Sequence, residues 1–223
     1  MNDKLSLLRG RIDQLDLEIL KLISDRLTLS DEVIAAKNGE AAFRPGREAK
    51  LIRRLVKMNA DISPAVLLGI WRQIMAASLT RQNQDLIFSV HNAAMPAATW
   101  HMGGTLNAQV CKDYQSVIAQ LDKKSCRYGI VPTEQDNATL AAALAAHPKV
   151  NIIARTPLFS IQAIAPAYIL ADYLPDESGD DISLFAVPHI DHGIQIVSVD
   201  GYINDHIPEA FGASARLLGI YAR

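Results

Sequence analysis

The chain has 223 residues, of which 49% are hydrophobic and 21% charged, a balance typical of a globular protein with enough apolar mass for one large domain or two small ones. Its 22 Lys and Arg residues nearly match its 24 Asp and Glu residues, for a formal net charge of −2, which excludes a broad electrostatic attraction to nucleic acid or an anionic membrane. No apolar run approaches the roughly 20 residues of a membrane helix, and no signal-peptide core follows the first residues. We therefore expect a cytoplasmic protein with neither nucleic-acid nor membrane partners.

Apolar residues spaced alternately three and four apart predict a long first helix. The stripe comprises Leu5, Leu8, Ile12, Leu15, Ile19 and Leu22, then Leu29, Val33 and Ala36. Arg26 occupies a position on this stripe where an apolar residue is due, and Lys37 lies about three helical turns further along the same face. Either carboxylates or an anionic ligand neutralise these two cations, or their long side chains reach solvent at the edge of a helical bundle.

A second helix is predicted after the breaker sequence Arg44-Pro45-Gly46. Its apolar positions are Leu51, Leu55 and Met58. One turn before the first of these, Arg47 lies on the same buried stripe, with Glu48 beside it. Glu48 also lies in the first turn, where any carboxylate stabilises the helix dipole.

A third helix is predicted from Ser63 as its N-cap and Pro64 as its first helical residue. Its inner face contains Leu67, Trp71 and Ile74, followed by Ser78 and Gln82. Polar residues thus interrupt apolar stripes on three separate helices, and we expect these interruptions to converge at one functional site. The converging residues are Arg26, Lys37, Arg47, Glu48, Ser78 and Gln82.

The first helix is too long to be covered within one subunit. Arg9 precedes Arg26 by 17 residues, or roughly 26 Å along a helix axis, so no small ligand touches both in the same subunit. A helix of about 33 residues is near 50 Å long, which exceeds what two short partner helices cover. We therefore expect a dimer whose long helices run antiparallel and bring Arg9 of the partner subunit towards Arg26.

The sequence character changes near residue 85, where β-type runs begin to alternate with Ala- and Leu-rich helical stretches. The runs are residues 86–90, 128–131, 150–154, 182–187 and 194–199. This alternation predicts an α/β domain. We divide the chain into an all-helical domain at 1–84 and an α/β domain at 85–223.

The N-terminal pattern resembles the all-helical chorismate mutases, the class found at the front of bifunctional mutase and prephenate dehydratase proteins. The likeness covers about residues 4–84 and consists of Leu8-Arg9, Ile12-Asp13-x-x-Asp16, Asp25-Arg26, Lys37, Arg47-Glu48 and Ser78-x-x-x-Gln82. It implies an intertwined dimer of three-helix subunits that converts chorismate to prephenate in phenylalanine and tyrosine biosynthesis. The reaction is a one-step pericyclic (Claisen) rearrangement that needs no cofactor and no metal.

The resemblance also implies which residues bind the substrate's two carboxylates. Arg26 and Arg9 of the partner subunit form the clamp, Arg47 supports the same charge, and Ser78 assists one carboxylate. Planar guanidinium groups suit carboxylates better than ammonium groups do.

Three further residues are assigned to the reacting part of the substrate by the same resemblance. Lys37 and Gln82 donate hydrogen bonds to the ether oxygen, where negative charge develops as its bond to carbon breaks. Glu48 accepts from the ring hydroxyl. Arg44 departs from the pattern, because some members have an acidic residue there.

Two other functions are compatible with the same pattern. A related subgroup eliminates pyruvate from isochorismate with the same pocket. A non-catalytic sensor of aromatic metabolites, built on the same dimer, is a further alternative. Retention of five polar groups on buried faces favours the enzyme, because a scaffold gains no stability from them.

The second domain has a weaker likeness to the first, periplasmic-binding-protein-like lobe of prephenate dehydratase. Residues 128–137 resemble a strand and turn of that family, and residues 88–91 lie where its opening strand is placed. The Thr-Arg-Phe signature of the dehydratase is missing, so dehydratase activity is not expected. We interpret the domain as a regulatory or stabilising remnant, with phenylalanine or tyrosine as the candidate effector.

No metal site and no reactive thiol are predicted. His189 and His192, with Asp191 between them, lack a third ligand at a suitable spacing. Cys111 and Cys126 lack a neighbouring His or a CxxC pattern, so we expect two inert buried thiols.

Overall fold

The computed structural model describes residues 2–36, 41–58, 61–83, 85–133, 137–189 and 193–223. Three helices come first: α1 (Asn2–Ala36), α2 (Pro45–Met58) and α3 (Pro64–Gln82). The strands that follow are β1 (Phe88–His91), β2 (Ala108–Cys111), β3 (Tyr128–Pro132), β4 (Asn151–Thr156), β5 (Ala167–Ala171), β6 (Asp181–His189), β7 (Gly193–Asp200) and β8 (Arg216–Ala222). Shorter helices lie among them: α4 (Met95–Met102), α5 (Tyr114–Asp122) and α6 (Asn137–Ala146). The predicted helical N-terminal region and α/β C-terminal region are both confirmed.

The helix α1 is continuous over 35 residues, close to the predicted length of about 33. Every residue from 3 to 22 is exposed. The large apolar side chains of the predicted stripe are 44–67% exposed. The stripe is thus uncovered in a single chain, as the length of the helix predicts. The reason is that α1 contacts α3 through its C-terminal third, at Arg26, Ser30 and Asp31, and extends beyond it.

The helix α3 begins as predicted, because Ser63 Oγ accepts a hydrogen bond from the Val66 amide at 3.4 Å and Pro64 is the first helical residue. Two of its faces are buried, since it packs against α1 on one side and α4 on another. The buried residues are Leu67, Leu68, Arg72, Met75, Ala76, Ser78 and Leu79. The predicted inner residues Trp71 and Ile74 are only half-buried. The predicted stripe of α2 also fails at its end, where Met58 is 77% exposed.

The described strands form one mixed sheet in the order β2-β1-β3-β5-β4-β8-β6-β7. The strand β1 is parallel to β2 and β3, whereas β5 is antiparallel to β3 and β4. The strand β8 is parallel to β4 and antiparallel to β6, which pairs with β7 in an antiparallel hairpin. The sheet therefore combines a parallel edge with an antiparallel one.

All five predicted strands are present, and three more, β2, β5 and β8, were not predicted. The strand β2 is a short edge strand whose middle residues are exposed, so it lacks an apolar pattern. The strand β8 contains Gly219 at a φ of 149°, where a Cβ would overlap the backbone of Ile152. Glycine within a sequence segment argues against predicting a strand there. In β8 the glycine instead allows the close approach of β4.

Helices cover the two faces of the sheet. On one face, α5 and α6 pack over a cluster that includes Val117, Leu140 and Leu144. On the other face, α4 and the C-terminal half of α3 pack over Phe88 and Tyr128. This second layer joins the helical region to the α/β region.

The two regions share a hydrophobic cluster and several polar contacts. The Phe43 ring meets Tyr128 edge-on at 5.6 Å, and the Tyr173 hydroxyl donates to the Phe43 carbonyl at 2.9 Å. The helix α2 begins so close to the α/β region that a Cβ at Gly46 would overlap the carbonyl oxygen of Asp176. The start of α2 is thus held by the α/β region, while the boundary at 84/85 stays a prediction.

Candidate active site

A cavity of about 490 Å³ lies between α1, α2, α3 and the segment that precedes α2. Its lining residues are Arg26, Leu29, Ser30, Val33, Ala42, Arg44, Arg47, Glu48, Lys50, Leu51, Arg54, Met75, Ser78, Leu79 and Gln82. Apolar side chains of all three helices form part of the wall, and the rest is mostly cationic. The volume is that of a site for a small organic molecule.

The structure brings together five of the seven predicted site residues. These are Arg26, Arg47, Glu48, Ser78 and Gln82, all of which line the cavity. Arg9 does not line it and is exposed near the N-terminal end of α1, as expected if it acts in a partner subunit. Lys37 lies outside the described residues, so its position stays a prediction.

Arg26 is held in place by hydrogen bonds between α1 and α3. Its Nη1 donates to Ser78 Oγ at 2.8 Å, and the Ser78 hydroxyl donates to the Ile74 carbonyl at 3.1 Å. Ser30 Oγ lies 3.4 Å from Ser78 Oγ and donates to the Arg26 carbonyl at 3.0 Å. Near these residues, an ion pair between Arg81 and Asp31 also joins the two helices. Ser78 therefore orients the Arg26 guanidinium in addition to facing the cavity.

Glu48 has a partner that the sequence did not reveal. Its Oε2 accepts a hydrogen bond from Arg72 Nη1 at 2.6 Å, which makes an ion pair between the first turn of α2 and the middle of α3. The Arg72 side chain is 8% exposed and that of Glu48 is 21% exposed. The pair is therefore largely shielded from water. In such surroundings charge-assisted hydrogen bonds are strong.

The described cavity wall carries far more positive than negative charge. Its cations are Arg26, Arg44, Arg47, Lys50 and Arg54, against the single carboxylate of Glu48. Burial lowers the pKa of Arg26; the Glu48 carboxylate raises it, and the Arg47 and Arg72 cations lower it further. An excess of positive charge of this kind favours an anionic ligand.

Arg44 shows how the α/β region contributes to this wall. Its Nη2 lies 3.5 Å from Asp176 Oδ2, in the segment between β5 and β6. Position 44 is thus an arginine paired with the α/β region. It replaces the acidic residue that the resemblance leads us to expect in some family members.

Sequence reasoning missed Arg72, Lys50 and Arg54. For Arg72 a signal was present, because Leu68, Arg72, Ala76 and Leu79 follow each other at helical spacing and place a cation on an apolar stripe. The predicted inner face instead runs through Trp71, one position before Arg72. Lys50 and Arg54 are exposed and gave no such signal.

The α/β region contains no second constellation of this kind among its described residues. Both cysteines are buried free thiols, as predicted, and burial raises the pKa of Cys126. No group of three or more His, Cys, Asp or Glu side chains within the described ranges could hold a metal ion. His192 and Asp191, and residues 134–136 of the dehydratase-like turn, lie outside those ranges. None of the described helices is long and apolar enough to cross a membrane.

The helices that line the cavity lie in a part of the chain that matches a known family. Residues 8–83 match the family model described as chorismate mutase type II. The bifunctional chorismate mutase/prephenate dehydratase of Aquifex aeolicus is 26% identical to this chain over 142 residues, which cover 59% of the chain and 39% of that relative. The matched region therefore extends into the α/β region, while the chain spans about two fifths of the length of the curated relatives it matches.

Two solved structures share a weaker likeness. Prephenate dehydratase from Arthrobacter aurescens, in complex with L-Phe, has a TM-score of 0.44 and 11% identity over 62% of this chain and 90% of that chain. GqqA, described as a quorum quenching acylase, has a TM-score of 0.44 and 12% identity over 61% of this chain and 95% of that chain. TM-scores below 0.5 do not establish a common fold, so neither protein's function carries over. The match of residues 8–83, together with the cavity that they line, identifies the N-terminal part of this chain as a chorismate mutase type II domain.

Proposed function

We propose that this protein is a chorismate mutase that converts chorismate to prephenate by a pericyclic rearrangement, in the biosynthesis of phenylalanine and tyrosine. The observation that carries the proposal is the cavity of about 490 Å³ into which Arg26, Arg47, Glu48, Ser78 and Gln82 converge from three helices. Chorismate is a dianion with one ring hydroxyl, and the cationic wall with its single carboxylate complements that distribution of charge.

Substrate binding is assigned to the arginines. Arg26, oriented by Ser78, binds one carboxylate, and Arg47 together with Arg9 of the partner subunit binds the other charge. Bidentate clamps hold the flexible substrate in the compact conformer that reacts, which removes much of the entropic part of the barrier. No nucleophile or proton transfer is required, because bonds break and form within one molecule.

Rate enhancement is assigned to hydrogen bonds that strengthen in the transition state. Gln82 and Lys37 donate to the ether oxygen as its bond to carbon breaks and negative charge develops on it. Glu48 accepts from the ring hydroxyl through Oε1, since its Oε2 is bonded to Arg72. Preorganised donors of this kind need little reorganisation as the reaction proceeds.

The first experiment follows the loss of chorismate absorbance with purified protein and identifies the product. Prephenate formation supports the proposal. Turnover of isochorismate to salicylate and pyruvate, without prephenate formation, would replace the mutase by the lyase. An absence of turnover with both substrates would refute an enzymatic function and leave the sensor.

Variants test the residue assignments within the same assay. Removing one donor to a developing oxyanion costs about 3 kcal/mol, or roughly 100-fold in kcat, so we expect Gln82→Ala and Lys37→Ala to lose about that much. Gln73→Ala is the matched control, because Gln73 lies on the same helix, is exposed and does not line the cavity. Near-normal rates for both Gln82→Ala and Lys37→Ala would refute the assignment.

The dimer is part of the proposal and has its own test. Each site of the proposed dimer uses Arg26 of one subunit and Arg9 of the other. Arg9→Ala and Arg26→Ala should each be inactive alone, because each removes one arginine from both sites. When the two variants are mixed and allowed to exchange subunits, half of the sites in each heterodimer regain both arginines, so about a quarter of the wild-type activity should return. Without recovery after confirmed exchange, Arg9 does not act across subunits.

For the α/β region we propose an effector role and no dehydratase activity. Phenylalanine or tyrosine is the candidate effector, supported by the curated relatives whose matched region extends into this part of the chain. Calorimetry with each amino acid, combined with mutase assays, tests this role. An absence of both heat and rate change removes it, and formation of phenylpyruvate from prephenate would contradict the expected lack of dehydratase activity.

A further inference from the structure

A buried polar cluster connects the candidate active site to the α/β region. A small second cavity, of about 40 Å³, lies between α2, α3, α4 and β4. Glu48 lines both this cavity and the larger one. The other polar groups of the small cavity include Arg72, His101 and Thr156, so a carboxylate of the active site faces a cluster that belongs largely to the domain junction.

The Arg72 guanidinium depends on Glu48 for its position. In the part of the chain that the structure describes, Arg72 Nε and Nη2 are buried without a hydrogen-bond partner, and Nη1 is bonded to Glu48 Oε2. A buried cation with two unpaired donors is costly, and a buried ion pair is weak evidence for a gain in stability. The arrangement therefore calls for a reason other than stability.

His101 of the α/β region lines the small cavity together with Arg72 and is uncharged there. His101 Nδ1 and Thr156 Oγ1 share a hydrogen bond of 2.9 Å, and the Phe43 ring packs edge-on against the His101 ring at 5.7 Å. Burial lowers the pKa of His101 well below its usual value, and the positive charge of Arg72 lowers it further. His101 is thus neutral at physiological pH and adds no second charge beside the pair of Arg72 and Glu48.

Without Arg72, the other cations of the cavity would attract Glu48. The Glu48 carboxylate already interacts electrostatically with Arg26, and Arg47 lies next to it in α2. A carboxylate turned towards Arg26 would neutralise the group assigned to a substrate carboxylate and would lose its contact with the ring hydroxyl. The hydrogen bond from Arg72 Nη1 instead engages Glu48 Oε2.

We propose that Arg72 is a positioning residue of the candidate active site, which holds Glu48 away from the substrate-binding arginines and is itself enclosed by His101 and Thr156 of the α/β region. The proposal rests on the mutase function proposed above. Arg72 does not touch the substrate in this arrangement, and its effect on turnover passes entirely through Glu48.

A double-mutant cycle tests this dependence. We expect Arg72→Met to lower kcat/KM for chorismate roughly 10- to 100-fold in the wild-type background, because a charge-assisted hydrogen bond is lost. In the Glu48→Gln background the same substitution should change kcat/KM by less than about threefold, since no carboxylate remains to be positioned. Arg72→Lys, which keeps the charge, should recover part of the loss and serves as the second variant if Arg72→Met does not fold.

The matched control is Arg53→Met. Arg53 also joins the helical and α/β regions, through bonds from Nη1 to the Ser178 carbonyl at 3.0 Å and from Nη2 to the Asp180 carbonyl at 2.8 Å, but it lines neither cavity. Equal losses from Arg72→Met in both backgrounds, or an equal loss from Arg53→Met, would overturn the positioning role. If wild-type protein does not turn chorismate over, both proposals fall; if it does and the cycle shows no coupling, only the role of Arg72 falls.

Discussion

The exposed apolar stripe of α1 leads to the sharpest prediction about assembly. Leu15 lies near the middle of this stripe and is 57% exposed in the single chain. If two copies of α1 pack along their stripes in an antiparallel dimer, Leu15 of each subunit becomes buried near the dimer axis. Leu15→Asp should therefore dissociate the dimer.

The magnitude follows from the exposure. Full burial of a leucine contributes about 1.5–3 kcal/mol, so burying the exposed half of Leu15 contributes about 1–1.5 kcal/mol per subunit. Symmetry doubles this figure, and each buried aspartate adds several kcal/mol of uncompensated desolvation. A total of at least about 5 kcal/mol corresponds to a dissociation constant raised roughly 10³- to 10⁴-fold.

Sedimentation equilibrium over a concentration series measures the effect, and the mutase assay reports whether activity is lost together with the dimer. Val110→Asp is the control, because Val110 is also 57% exposed but lies on the edge strand β2 of the α/β region. A Leu15→Asp protein that dimerises as tightly as wild type, or an equal effect of Val110→Asp, would refute the assignment of the stripe to the dimer interface.

Three further predictions concern stability and reactivity. Gly46→Ala should lower the free energy of unfolding by about 1–3 kcal/mol, because the added Cβ meets the Asp176 carbonyl. Gly69→Ala, with open space around it, should raise the free energy of unfolding by about 0.5–1 kcal/mol. Urea denaturation compares the two variants, and equal effects would contradict the close packing at Gly46. Burial lowers the pKa of His101 well below 6.5, so as the pH falls the unfolded chain takes up a proton at this histidine before the folded chain does. The free energy of unfolding should therefore fall below pH 6.5 by up to about 1.4 kcal/mol per pH unit. Denaturation measured at several pH values should show a shallower slope for His101→Asn. Burial also raises the pKa of Cys126, so iodoacetamide at neutral pH should label it only in denaturant; rapid labelling of native protein, seen by mass spectrometry, contradicts this.

Much of the helical region could be predicted because its signals are local. The N-cap at Ser63, the proline at position 64 and the three-four spacing along α1 each depend on residues within a few turns of one another. Arg26, Arg47, Ser78 and Gln82 were found because each continues an apolar stripe of its own helix, and Glu48 because it lies beside Arg47 and matches the family motif. Periodicity thus specifies which face of a helix a polar group shares with its apolar neighbours, and that was sufficient to place these side chains in one cavity.

The errors and omissions have a common cause, which is that they depend on what packs against a helix or strand. Periodicity shows that a face is apolar but not what covers it, so the predicted burial of Met58 at the end of α2 is wrong. The strands β2 and β8 were missed, since an exposed edge and a glycine opposite a neighbouring backbone carry no apolar signal of their own.

The sequence by itself determined the secondary structure of the N-terminal region, the resemblance of its motifs to the all-helical chorismate mutases, and five of the fifteen residues that line the cavity. Only the tertiary structure decided that Glu48 is paired with Arg72, that Arg44 meets Asp176, and that the α/β region holds the start of α2. The physical reason is that these contacts join residues from 24 to 132 positions apart, so no local pattern encodes them. They exist because two apolar surfaces pack together and bring buried charges within bonding distance.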